Sequence, residues 1–197
     1  FFDPRSLRCA PGTFSPTPTS LFTTGSEAWS IVDLAGATVM PADYASVLAP
    51  LDITWNPVGG LDGGYISRRD ITSNVFFFNA PDTFLGDQSA YRLGKLRFSL
   101  KCDASDYLAD AFVVLIGNNG NVAVAPITAP ATGWTQYVVP LDVVATAWRA
   151  NRASGALLTQ SQLDAILADL EALRINGEWG SNVTETTGLD QVSLTGP

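Results

Sequence analysis

The stretch "NAPDTFLGDQSAYRLGKLRFSL", Asn79 to Leu100, joins two kinds of sequence. From Gly94 onward, "GKLRFSL" alternates polar and apolar residues, the pattern of a half-buried strand. Before Gly94 the alternation fails. Phe84, Leu85 and Tyr91 stand in a polar, turn-rich segment beside Pro81 and Gly86. Large apolar side chains are costly to leave in water. The economical reading makes them anchors that pin a loop crossing from one sheet to the next, so that "KLRFSL" enters in register. Gly86 lets the backbone turn there.

Outward from this stretch the signals are mostly short strands: "AWSIVDL" (28–34), "GYISRRDI" (64–71), "NVFFFNAP" (74–81), "KLRFSLKCD" (95–103) and "GWTQYVVPL" (133–141). In the last, Trp134, Gln136 and Val138 share one side, and Tyr137 and Val139 the other. "AFVVLIGNNGNVAVAPI" reads as a hairpin with its turn at Asn118–Asn121. "TTGLDQVSLTGP" closes the chain as a strand. One helix is expected over "TQSQLDAILADLEALR" (159–174). Thr159 and Gln162 can form a capping box, and Leu163, Ile166, Leu167 and Leu170 fall on one face. A shorter helix is expected over "VVATAWRANRA" (143–153). These elements specify an all-β jelly-roll sandwich with one or two short surface helices and an extended N-terminal arm. Residues 1–20 form the arm and 21–197 the domain.

The chain has 197 residues and a formal charge of −8, with 46% apolar and 15% charged residues. That describes a packed domain rather than a disordered one. The acidic balance argues against nucleic acid, which needs clustered Lys and Arg. No apolar run is long enough to span a membrane. There is no histidine, which removes His-based triads and His-ligated zinc. Carboxylate pairs are left to support catalysis, and nothing in the pattern fixes their separation; no enzyme is expected.

The arm, "FFDPRSLRCAPGTFSPTPTS", holds Pro4, Pro11, Pro16 and Pro18, which favour extended backbone. It reads either as a linker or, through Phe1, Phe2, Leu7 and Phe14, as an apolar arm. Such an arm lies on its own domain or adds a strand to another copy. The opening "FFDPRS", with Met40 the single methionine, reads as a terminus processed after export, or as a trimmed one. Cys9 and Cys102 are either two thiols or, in a secreted chain, one disulfide. The bridge would close a loop of about 90 residues and contribute about 4 kcal/mol.

Several residues then resemble the laminin B (laminin domain IV) family. Ala80-Pro81, Phe84-Leu85-Gly86-Asp87-Gln88, Tyr91 and Leu96-Arg97-Phe98 resemble its Ala-Pro-x-x-Phe-Leu-Gly-[Asp/Asn]-Gln segment, its Tyr and its next strand. "LLTQSQLDAILADLEALRINGEW" resembles its late helix and strand, "TGLDQVSL" its closing strand, and "EAWSI" its Gly-Trp element with Ala28 in place of Gly. Arg92-Leu93-Gly94 after Tyr91 departs from the pattern. The resemblance spans about residues 22–194. It implies a secreted, non-catalytic, galactose-binding-like β-sandwich with a structural or recognition role. Self-assembly or adhesion in a matrix, sheath, filament or surface layer is the first expectation, and carbohydrate binding the alternative.

The resemblance also implies a structural Ca²⁺ where the first strand's entry loop meets the last strand. The matching residues are Thr23, Gly25, Glu27 and Asp190. Asp103, Asp106 and Asp110 offer a second acidic loop, read more simply as a polar rim. For a glycan, Trp55 with Asn56 and Asp62 is the first aromatic candidate and Trp179 the second, because sugars bind through aromatic faces and a few planar polar groups. Trp29, Trp134 and Trp148 are assigned to the core. Asn182-Val183-Thr184 is a glycosylation sequon.

Overall fold

The computed structural model describes residues 17–34, 52–71, 74–103, 111–180 and 184–197. Phe1, Phe2, Leu7, Cys9, Phe14, Asp106, Asp110 and Asn182 lie outside the described residues, and so do the expectations placed on them.

Two antiparallel sheets face each other. The strands are β1 (Thr19–Ser20), β2 (Ser30–Leu34), β3 (Thr54–Asn56), β4 (Tyr65–Arg69), β5 (Val75–Asn79), β6 (Lys95–Cys102), β7 (Ala111–Gly117), β8 (Val122–Ile127), β9 (Thr135–Pro140), β10 (Arg149–Ala150), β11 (Leu170–Asn176) and β12 (Thr186–Thr195). Sheet A runs β3-β4-β12-β6-β9, with β1 also paired to β12. Sheet B runs β10-β8-β7-β11-β5-β2. The jelly-roll sandwich expected from the strand pattern is therefore the observed fold. Its domain starts slightly early, because Thr19 and Ser20 already pair with Ser193 and Val192.

The segment 79–100 does what its composition demands. It leaves β5 in sheet B and delivers β6 to sheet A. Phe84 is fully buried and meets the Trp29 ring edge-on at 5.5 Å. Gly86, at φ +78°, exchanges two backbone hydrogen bonds with Leu170, of 2.8 and 2.9 Å. The crossing loop is thus tied to the start of β11. The core between the sheets includes Trp29, Ile31, Phe76, Phe78, Phe98 and Leu100. Sheet B also carries buried apolar residues on its other face, among them Val32, Phe77, Val114 and Val124.

Two helix expectations need correction. Helix α1 covers only Gln160–Leu167; its capping box between Thr159 and Gln162 is present. The remaining "LEALRIN" is β11, hydrogen-bonded to β7 on one side and β5 on the other. A central strand buried on both faces shows a nearly continuous apolar run, so its leucines also satisfied a helical period. No helix occupies 143–153. Trp148 is fully buried and donates to the Pro140 carbonyl at 2.9 Å. Arg149–Ala150 then pair with β8, and Asn151 turns the backbone left-handed at φ +67°, which a helix excludes.

Candidate functional site

The outer face of sheet A is the part of the sandwich whose side chains are polar and aromatic rather than aliphatic. Along β6, Leu96, Phe98 and Leu100 point inward, while Lys95, Arg97 and Lys101 are exposed or half-buried. β9 alternates the same way, with Gln136 and Val138 outward and Tyr137 and Val139 inward. The register puts Gly188 of β12 beside Lys101 of β6 and beside Ser67 of β4. Tyr65 and Trp134 then approach each other across the two strands between them.

They form a compact aromatic unit. The two rings meet edge to face, with centroids 5.3 Å apart and planes at 82°. Lys101 Nζ lies 3.8 Å from the Tyr65 centroid and 4.5 Å from the Trp134 centroid. The Gly59 carbonyl accepts from both Trp134 Nε1, at 3.1 Å, and Lys101 Nζ, at 3.3 Å. Gly188 makes the arrangement fit: a β-carbon there would sit 3.0 Å from Lys101 Cε and 3.2 Å from the Trp134 ring. Next to this unit lies a groove of about 280 Å³ whose lining includes Arg97, Gln136, Val138, Gln191, Thr19 and Ser193.

The bulge of β12 shapes one side of the face. Its register shifts between Asp190 and Ser193, and Gln191 adopts φ +52°. Asp190 is buried, and its carboxylate accepts from the Leu61 amide and the Gln191 amide, each at 2.7 Å. Burial pushes its pKa up, and those two amide bonds oppose the rise. Gln191 Nε2 in turn donates to Asp62 Oδ2. Asp190 therefore holds the 60–64 loop against the sheet.

The glycan candidates from sequence are divided by this geometry. Asn56 reaches the outer face, donating to Ser67 Oγ at 2.9 Å, and Asp62 borders it. Trp55 does not join them. It sits opposite Ile66 in the β3–β4 register, packs against the inter-sheet core and donates Nε1 to the Phe22 carbonyl at 2.7 Å. Trp179 is fully buried, so its ring offers no surface to a ligand. Conversely Trp134, assigned to the core, lies half-buried on the outer face. The alternation along "WTQYVV" carried that signal: Trp134 shares a side with Gln136 and Val138, the exposed side. Tyr65, Lys101 and Arg97 carried none, because only strand pairing brings them together.

The residues expected to hold calcium come from the β1–β2 loop and from β12. Thr23 is exposed and Gly25 and Glu27 are half-buried in the β1–β2 loop, while Asp190 has its carboxylate on two backbone amides. Cys102 is buried and accepts from Thr187 Oγ1 at 3.3 Å.

Comparison with known proteins gives two kinds of match. The family profile described as Laminin B (Domain IV) matches residues 77–196. Among solved structures, the L4b domain of human laminin alpha-2 superposes with a TM-score of 0.52 at 17% identity, covering 60% of this chain and 69% of that one. A family 11 carbohydrate-binding module from Clostridium thermocellum, in complex with a beta-1,3-1,4-mixed-linked tetrasaccharide, gives a TM-score of 0.54 at 17% identity, covering 90% and 94%. An exo-beta-agarase matches with a TM-score of 0.51 at 11% identity, over 74% of this chain but 22% of its own length. At these identities the structural likeness establishes the fold.

Proposed function

The chain belongs to the Laminin B (Domain IV) family, and on that premise we propose that it is an extracellular, non-catalytic recognition module that binds a glycan across the outer face of sheet A. The observation that carries this reading is the Tyr65–Trp134 pair on the same outer face as a groove lined by planar polar groups. Sugars present flat C–H faces, which aromatic rings accept, and vicinal hydroxyls, which guanidinium and amide groups grip in pairs. Arg97, Gln136 and Gln191 are such groups and line the groove. The similar family 11 module was solved with a mixed-linked beta-glucan fragment, so that polymer is the first to try. Affinity electrophoresis through mixed-linked beta-glucan, agarose and other plant, algal and animal polysaccharides tests the reading. Retention of the wild type, lost in Trp134→Ala, supports it; migration unchanged by every glycan sinks it.

Assembly through the N-terminal arm is the second reading. Thr19 and Ser20, the end of residues 1–20, already add a short strand to β12, so backbone pairing at this place in sheet A is chemistry the segment uses. Light scattering of the chain with and without residues 1–16, which spares β1, separates the readings. A monomer in both forms counts against assembly.

A further inference from the structure

At one end of the sandwich, buried acids from both sheets converge. Asp70 follows β4 and Glu185 precedes β12, both in sheet A. Glu178 follows β11 in sheet B. Each of the three has a carboxylate oxygen within 4.8 Å of the others', and all three are buried. Carboxylates do not gather in a low-dielectric interior without something to offset their charge.

The cluster is built and aimed. Glu185 Oε1 accepts from the Trp179 and Gly180 amides at 2.8 and 2.9 Å, which fixes its rotamer. Its other oxygen, and Glu178 Oε2, meet no N–H or hydroxyl donor among the described residues, although the residues are 1% and 6% exposed. A fourth acid outside the cluster points the same way. Asp33 of β2 pairs with Phe76, whose ring is in the inter-sheet core, so Asp33 shares that inward face. It is 4% exposed, its Oδ1 has no partner among the described residues, and its charge acts on Glu178. Arg68, two residues before Asp70, donates from Nη1 to the Asp52 carbonyl at 3.2 Å.

We propose that Asp70, Glu178 and Glu185 form a site for one calcium ion that ties sheet A to sheet B at this end of the fold. An ion held about 2.4 Å from each oxygen accepts ligand oxygens up to about 4.8 Å apart, and the three carboxylates here each have an oxygen within that limit. The donors are all hard oxygens, without His or Cys, which suits calcium and not zinc or copper. Three carboxylates offer one oxygen each at the shared point, and calcium, whose coordination is flexible, completes its shell with waters or carbonyls; the smaller magnesium demands a stricter octahedron.

The test is calorimetric titration of the metal-stripped full chain with CaCl₂ and separately MgCl₂, together with thermal unfolding in calcium and in EDTA. The expected result is one calcium bound per chain at this site, a higher Tm in calcium than in EDTA, and weaker binding of magnesium. Glu178→Gln keeps the side-chain shape and cannot become a carboxylate, so it is expected to fold in EDTA at least as well as wild type while losing calcium affinity tenfold or more. Asp70→Asn, checked for folding by circular dichroism, is expected to show the same loss. Absence of any calcium-dependent heat or Tm change in the wild type overturns the proposal. So does full calcium affinity in folded Glu178→Gln with loss in Asp190→Asn instead.

Discussion

Lys101 Nζ lies 3.8 Å from the centre of the Tyr65 ring, on strands β6 and β4 with β12 between them. The contact passes over Gly188, the one β12 residue whose missing side chain leaves the space open. A cation so placed is attracted to the aromatic face, by about 0.5–1 kcal/mol at a partly exposed site. The energy is small, but the geometry sets the angle at which Tyr65 and Trp134 present themselves.

Gly188→Val fills that space from below. The branched side chain collides with Lys101 and Trp134 while the inward neighbours Thr187 and Leu189 stay in place. We expect near-wild-type far-UV circular dichroism, a red-shifted and more quenchable tryptophan fluorescence from the displaced Trp134, and loss of any glycan retention. Retention equal to wild type would separate binding from the aromatic unit.

Trp55→Phe addresses the other tryptophan. Its indole N–H donates to the Phe22 carbonyl at 2.7 Å, and Phe22 itself takes φ +53°. Losing that bond leaves a carbonyl short of a partner, at a cost of about 1–2 kcal/mol. Urea unfolding is expected to show the loss, with glycan retention unchanged. A selective loss of retention at full stability would restore Trp55 as a ligand platform.

Thr159→Ala removes one half of the capping box on α1, whose buried residues Leu163, Ile166 and Leu167 join the main core. A destabilisation of about 1 kcal/mol is expected by chemical denaturation, without effect on glycan or metal binding. A change below about 0.3 kcal/mol would mean that packing alone holds the helix.

Glu178 sets a pH dependence opposite in sign to that of a salt-bridged acid. Burial first, then the charges of Glu185, Asp70 and Asp33, push its pKa up to about 9 from an ordinary 4.5. Between these values the unfolded chain has released a proton that the folded chain keeps, so raising the pH favours unfolding. In EDTA, stability is expected to fall from about pH 5 toward pH 9, and Glu178→Gln is expected to remove most of the fall. Stability that is flat or rising over this range, and indifferent to the substitution, would contradict the buried acid pair.

Much of the fold was legible because it rests on local rules. The alternation of "KLRFSL", the Asn118–Asn121 turn and the capping box at Thr159 each declare themselves within a few residues. Phe84 announced a loop anchor because an apolar ring in a polar segment must be buried somewhere. β11 was misread because a strand buried on both faces loses its alternation, and Trp134 because its exposed partners counted for less than its size.

The sequence by itself determined the sandwich, the crossing of residues 79–100 between its sheets, the family and the absence of imidazole chemistry. These follow from period, turn chemistry and composition, which are properties of neighbouring residues. Only the tertiary structure decided which aromatic residues face solvent and which acids meet. Tyr65, Lys101 and Trp134 become one unit through the register of three strands, and Asp70, Glu178 and Glu185 through the closure of one sheet on the other. Neither grouping has a signature along the chain, because each needs at least one residue tens of positions from the others, and the local surroundings look ordinary.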